Sequence, residues 1–371
     1  MQIDSKLIKV AAPDITEVEV DAVREVLLSG NYVSGPKVEE FETRFADWLG
    51  VDHAVAVNSG TAALHIALEA IGVKKNDEVV VPPITFFATV SLVLYLGARP
   101  VFADIDSADM CLAPSEVRKV ITRRTKAILP VHLFGASAKM DEFTELSRKH
   151  KIPIVEDCAQ AHGTEFDGAK VGGFGAAAAF SFFATKHMTT GEGGIITTND
   201  PHIAEQCRTI RNHGLSGRDE HVRLGFNNRL TEIAAAIGLV QLAKLDRLNA
   251  KRIENSEYLR QNLHDLAWAV LPASKSNVKH TYFWCPISVD PAHRKTIDDL
   301  KAHLTKYGIG FRHRYKEPLY KQPVLKKMGL DYSKLRLPNA EQMAGRIIGL
   351  PNHPNLSRHE LDKIIEVLKM F

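Results

Sequence analysis

Over the first two-thirds of the chain, short apolar runs alternate with stretches whose apolar residues recur every three or four positions, the pattern of a parallel sheet covered by helices. His53–Val57 predicts a strand and Thr61–Ile71 the helix after it. Glu78–Val81, Pro100–Ala103, Ala127–Val131 and Ile152–Glu156 continue the strands, with helices at Thr85–Leu96 and Asp141–His150. Ala176–Phe183 and Gly194–Thr198 predict two strands joined by a glycine-rich turn, and a long helix follows from Thr231 through Leu248. Beyond it the pattern gives a strand (Tyr282–Val289), a helix (Ile297–Tyr307), a short strand (Gly310–His313) and two closing helices (Ala340–Ile348 and Arg358–Met370). This places a large domain over residues 1–250 and a smaller α+β domain over residues 251–371.

Composition narrows the class of protein. The 371 residues are 45% apolar and 25% charged, with 47 basic against 44 acidic side chains, which excludes disorder and gives no electrostatic footprint for nucleic acid. The densest basic cluster, Arg118, Lys119, Arg123, Arg124 and Lys126, reads as a solvated helix face. The four cysteines (Cys111, Cys158, Cys207, Cys285) lack the paired spacing of a zinc site or a disulfide framework, and His-Glu-x-x-His is absent, so no metal is expected. The first ten residues lack a signal-peptide core and no apolar run is long enough to span a membrane. The expectation is a cytoplasmic protein.

Ligands of an open parallel sheet bind beyond the carboxyl ends of its strands. Three such junctions carry chemistry. At Asn58-Ser59-Gly60-Thr61 a strand breaks at small polar residues and a helix starts at once, which suits a phosphate; helix capping for stability alone explains the same residues. At Glu156-Asp157 an apolar strand ends in two acids, which read either as ligands of a buried group or as a solvated loop. At Lys186 a lysine follows an apolar strand and precedes Gly191, Gly193 and Gly194, where backbone can approach a ligand closely and a desolvated amine gains nucleophilicity. Phosphate site, acid and lysine are together the three groups pyridoxal phosphate requires, and neither a dinucleotide fingerprint nor a nucleotide-triphosphate loop competes.

Five ordered segments make the pattern recognisable: Asn58-Ser59-Gly60-Thr61-Ala62-Ala63-Leu64, Pro83-Ile84-Thr85-Phe86-Phe87-Ala88-Thr89, Glu156-Asp157-Cys158-Ala159-Gln160-Ala161-His162-Gly163, Ser181-Phe182-Phe183-Ala184-Thr185-Lys186 with Gly191-Glu192-Gly193-Gly194, and Gly225-Phe226-Asn227-Asn228-Arg229. The chain resembles the DegT/DnrJ/EryC1/StrS family of pyridoxal-phosphate sugar aminotransferases over nearly its whole length. The resemblance implies a fold type I, aspartate aminotransferase-like α/β architecture, with a mostly parallel central sheet flanked by helices and a smaller C-terminal domain. It makes Lys186 the lysine that links to the cofactor and moves the proton, and Asp157 the partner of the pyridine nitrogen. Gln160 is expected at the ring's 3-oxygen, Phe86 against the ring face, and Ser181 with the Gly60, Thr61 and Ala62 amides around the phosphate. Asn227 is expected to reach the phosphate of a neighbouring subunit, which implies a homodimer with composite sites. The implied reaction moves the amino group of L-glutamate, released as 2-oxoglutarate, to a nucleotide-linked ketosugar, at C4 by the wording of the Thr189–Gly194 segment. The alternatives are a regulatory protein that binds the cofactor without turnover and a sugar dehydratase of the same family, in which histidine replaces the lysine. Arg312, His313 and Tyr315 lie where the family pattern departs from this sequence and are candidate substrate contacts.

Overall fold

The computed structural model describes residues 7–217, 219–272 and 275–371. Its centre is a four-stranded sheet, in the order His53–Val57, Gly194–Thr198, Ala177–Ser181, Val155–Asp157, beside a three-stranded one, in the order Arg99–Phe102, Glu78–Val81, Thr125–Ile128. Parallel bridges Ile128 to Ile154 and Val131 to Asp157 join the two edge to edge into one continuous sheet. Gly194–Thr198 runs antiparallel to both neighbours, and the remaining strand pairs are parallel. Apolar runs such as Val79-Val80-Val81 and Ala177–Phe180 are buried on both faces, as strands with helices on either side must be.

One face of the sheet carries the helices Gly60–Ala70 and Ala88–Tyr95, and the other carries Pro36–Leu49 and the start of Glu232–Leu263. The predicted long helix starts one residue later than expected, capped by the Thr231 hydroxyl on Ala234 N, and continues to Leu263. Its 32 residues span about 48 Å and tie the large domain to the small one. Position 250 lies inside this helix. The N-terminal segment also crosses over: Ile8 bridges Ile309 and packs in the small-domain core with Leu259, Leu263 and Leu300.

The small domain holds an antiparallel sheet in the order Ala269–Val270, Cys285–Val289, Ile347–Leu350, Arg312–His313, covered by Ile297–Lys306 and Arg358–Lys369. The sequence expectation of a helix over Ala340–Ile348 is corrected here. The helix is Pro338–Met343, and Ile347–Leu350 forms a fully buried inner strand, paired on both sides. The basic cluster is also corrected. It is divided between the end of the helix Pro114–Val120, a loop and the strand Thr125–Ile128, and Arg118, Lys119 and Arg124 pair with Glu142, Glu116 and Glu78.

Candidate active site

Asp157 closes the strand Val155–Asp157 at its carboxyl end and is 5% exposed. Its backbone is held on both sides by the neighbouring segment, with Asp157 N donating to Pro130 O (2.9 Å) and His132 N donating to Asp157 O (3.1 Å). Its carboxylate accepts from Ala159 N (3.1 Å) and from the Thr89 hydroxyl (3.0 Å). Burial pushes the carboxyl above the usual aspartate range, against those two hydrogen bonds and the charge of Lys186.

The acid before it, Glu156, faces away from this space. It is fully buried and accepts from Gly172 N (2.9 Å), Phe174 N (2.9 Å), Gly175 N (2.8 Å) and His132 Nε2 (3.1 Å). Ala138 N donates to His132 Nδ1 (3.2 Å), so the ring proton is on Nε2 and the imidazole is neutral. His132, Glu156 and Cys158 cluster closely enough to suggest a metal site, but the histidine and carboxylate lone pairs are already engaged, so their arrangement is structural.

Lys186 follows the strand Ala177–Ser181 across a short turn, with its own N–H bonded to Phe183 O (2.9 Å). Its Nζ lies 4.7 Å from the ring centre of Phe283, whose N–H donates to Phe134 O (2.8 Å). Burial brings the amine down to about 8, and the Asp157 charge acts in the opposite direction. Behind it the rings of His187 and His162 lie tilted against each other with centres 5.3 Å apart, both held neutral first of all by burial.

The strand His53–Val57 breaks at Asn58-Ser59 and the helix starts at Gly60, one residue before its predicted start. Ser59 caps the helix Gly60–Ala70 by accepting from Ala62 N (3.1 Å), so the Ala62 amide is partnered within the helix cap and the Gly60 and Thr61 amides open the first turn. A Cβ on Gly60 would lie 2.5 Å from Ser181 Cβ, and one on Gly194 would lie 2.5 Å from Ser59 O. Three chain segments therefore converge at a spacing that only glycine permits. The Ser181 oxygen accepts from Phe183 N (3.4 Å), which leaves its proton for a ligand. A helix start with free amides, a donor hydroxyl, a lysine of lowered basicity and a buried carboxylate fit pyridoxal phosphate.

Gln160 is committed at both ends: Oε1 accepts from Phe134 N and Nε2 donates to the Tyr315 hydroxyl, each at 3.1 Å. Tyr315 is thereby part of the floor, and burial pushes its phenol up to about 12. Above this floor opens a cleft of about 580 Å³, whose lining includes Thr85, Phe86, His313, Arg314, Tyr315 and Lys316. Phe86 is exposed to it. His313 bonds Gly345 O through Nε2 (2.8 Å) while its Nδ1 is buried without a partner. Arg312 is exposed on the short strand and is not among the lining residues, where Arg314 and Lys316 stand instead. Asn227 sits on an exposed loop stitched to the end of His53–Val57, with Asn58 Nδ2 donating to Asn227 O (3.2 Å). Sequence reasoning missed Thr89, Phe283, Arg314 and Lys316; the four-residue spacing of Thr85 and Thr89 was the one available signal.

The family model described as the DegT/DnrJ/EryC1/StrS aminotransferase family matches residues 13–369. GDP-perosamine synthase of Escherichia coli O157:H7 is 36% identical over 374 residues, covering 99% of both chains. A pleiotropic regulatory protein of Geobacillus stearothermophilus is 36% identical over 357 residues, covering 94% of this chain and 92% of that one. The crystal structure of S. venezuelae DesV in complex with a ketimine intermediate superposes with a TM-score of 0.90 at 36% identity, over 95% of this chain and 93% of the other. Among the described residues no helix is long and apolar enough to cross a membrane. Fold, site and relatives agree: this is a pyridoxal-phosphate enzyme, and the chain belongs to the DegT/DnrJ/EryC1/StrS aminotransferase family.

Proposed function

We propose that the protein transfers the amino group of L-glutamate to the C4 keto group of a nucleotide-linked ketosugar. The observation that carries this reading is the placement of Lys186 and Asp157 around one buried space beneath a cleft that presents Phe86, Arg314 and Lys316. When bound, pyridoxal phosphate supplies the electron-accepting ring that stabilises negative charge at the carbon losing a proton. The Gly60 and Thr61 amides and the Ser181 hydroxyl bind the phosphate, Phe86 covers the ring, and Gln160 turns its remaining amide proton to the 3-oxygen. Asp157 holds a proton at the ring nitrogen. Lys186, with its amine brought down to about 8, takes the proton from the α-carbon of glutamate and delivers one to the sugar carbon in the second half-reaction, a contribution on the order of 10²–10⁴-fold. Arg314 and Lys316 supply positive charge for the diphosphate, with His313 and Tyr315 toward the sugar; Arg312 is the more distant candidate.

The similarity to GDP-perosamine synthase supports a nucleotide-linked sugar as substrate. Lys186 stands where the dehydratase branch has histidine, which favours amino transfer. A homodimer with Asn227 reaching the neighbour's phosphate is supported by the apolar loop around it, where Leu224 is 90% exposed beside exposed Val222 and Phe226. Four buried, unpaired cysteines suit a reducing cytoplasm.

The test is a panel of 4-keto and 3-keto sugar nucleotides incubated with the loaded enzyme and L-glutamate. Stoichiometric 2-oxoglutarate and amino sugar from a 4-keto member is the expected result. Binding of cofactor without conversion of any member would instead favour the regulatory role suggested by the likeness to the Geobacillus protein.

A further inference from the structure

The two oxygens of the Asp157 carboxylate are held in different ways. Oδ1 accepts from Ala159 N, two residues ahead, a bond that comes with the local turn. Oδ2 accepts from Thr89 Oγ1, which is 68 positions away in sequence and sits in the first turn of the helix Ala88–Tyr95. Thr89 is 1% exposed, so its hydroxyl is placed by the fold and not by solvent.

A hydroxyl carries one proton, and an ionised carboxylate only accepts. The Thr89 proton therefore goes to Asp157, and the 3.3 Å contact between the Thr85 and Thr89 hydroxyls has Thr85 as donor. Thr85 is also buried and lines the cleft. A directed chain of hydrogen bonds thus runs from Thr85 through Thr89 to the carboxylate. Phe86 lies between the two threonines in sequence, so the same turn that offers an aromatic face to the cleft fixes the acid beneath it.

We infer that Thr89, oriented by Thr85, is a positioning residue that keeps Asp157 ionised and aimed at the ring nitrogen of the cofactor. The inference rests on the proposed role of Asp157. Burial drives this carboxyl toward its neutral form, and the opposing groups are the Ala159 and Thr89 hydrogen bonds together with the charge of Lys186. Thr89 is the side-chain donor among them. Its loss leaves Oδ2 buried with no donor, and a hydrogen bond to a charged group controls about tenfold to a hundredfold in the equilibrium that depends on it.

The experiment is equilibrium dialysis of the full-length apoprotein against pyridoxal phosphate and against its 1-deaza analogue, in which a C–H replaces the ring nitrogen. Wild type is expected to prefer pyridoxal phosphate. If it holds the two equally, the Asp157 assignment fails and the inference about Thr89 fails with it. Given that preference, Thr89→Val, which matches threonine in shape, is expected to lose about tenfold to a hundredfold in affinity for pyridoxal phosphate and little for the analogue. Thr89→Ser should restore the preference, and Thr85→Val should shift it in the same direction by less. A parallel loss for both cofactors, with the preference intact, makes Thr89 a packing residue and overturns the proposal; unchanged binding of pyridoxal phosphate by Thr89→Val overturns it equally.

Discussion

Replacing Glu156 by glutamine tests the architecture behind the active-site strand without touching the cofactor space. The carboxylate is fully buried and accepts four hydrogen bonds: Oε1 from Phe174 N and Gly175 N, Oε2 from Gly172 N and His132 Nε2. Only an ionised carboxylate meets four donors with four acceptor sites. In Glu156→Gln one oxygen becomes an NH2 group, and whichever way the amide turns, that group faces two donors. His132 cannot relieve the conflict by changing tautomer, because its Nδ1 already accepts from Ala138 N. Two charge-assisted bonds are lost, about 3–6 kcal/mol at about 1.5–3 kcal/mol each. With an unfolding entropy near 2.1 cal/mol/K per residue, this lowers the midpoint of a chain of 371 residues by about 4–8 °C. The assay is urea denaturation of the apoprotein followed by near-UV circular dichroism, with a thermal scan alongside. A variant within about 1 kcal/mol of wild type would refute the reasoning, since it would mean that the side chain is already protonated or that the amides have other acceptors.

The neutral Lys186 amine is the form that captures cofactor, and burial places its midpoint at about 8 against an ordinary 10.5. The rate of pyridoxal phosphate capture by the apoprotein, followed by stopped-flow absorbance, should rise about tenfold per pH unit below 8 and level off above it; a rise continuing to pH 10 contradicts the desolvated lysine. Gly60→Ala puts a methyl group 2.5 Å from Ser181 Cβ and spreads the phosphate cradle. At least about a tenfold loss of affinity for both inorganic phosphate and pyridoxal phosphate is expected by calorimetry, and full retention would show that these two segments do not share the anion.

Where local chemistry decides an element, the sequence reading and the structure coincide. His53–Val57, Glu78–Val81 and Gly194–Thr198 match to the residue because each is a short, largely buried run bounded at both ends by polar residues, glycine or proline. Ile347–Leu350 resisted the same reading. The apolar residues of 340–348 fit a helical period, and only pairing with Cys285–Val289, some sixty positions earlier, makes the last of them a strand. The site divides the same way. Asp157 and Lys186 were legible because one closes a strand and the other comes just after one, and adjacent parallel strands bring such ends together, whereas Ser181 was reached only through the family resemblance. Thr89 on Asp157, Tyr315 on Gln160 and Phe283 on Lys186 were not, since each joins segments whose separation in sequence carries no periodic signal. The replacement of Arg312 by Arg314 at the cleft shows how narrow the margin is. Both arginines flank His313, and the pairing of Arg312 with Gly349 and of His313 with Ile348 fixes the direction in which the chain leaves the sheet. Arg312 lies within the short strand and Arg314 just past its end, where the chain has left the sheet and lines the cleft; where that strand ends is decided by its pairing with Ile347–Leu350, and nothing in the local sequence distinguishes the two arginines.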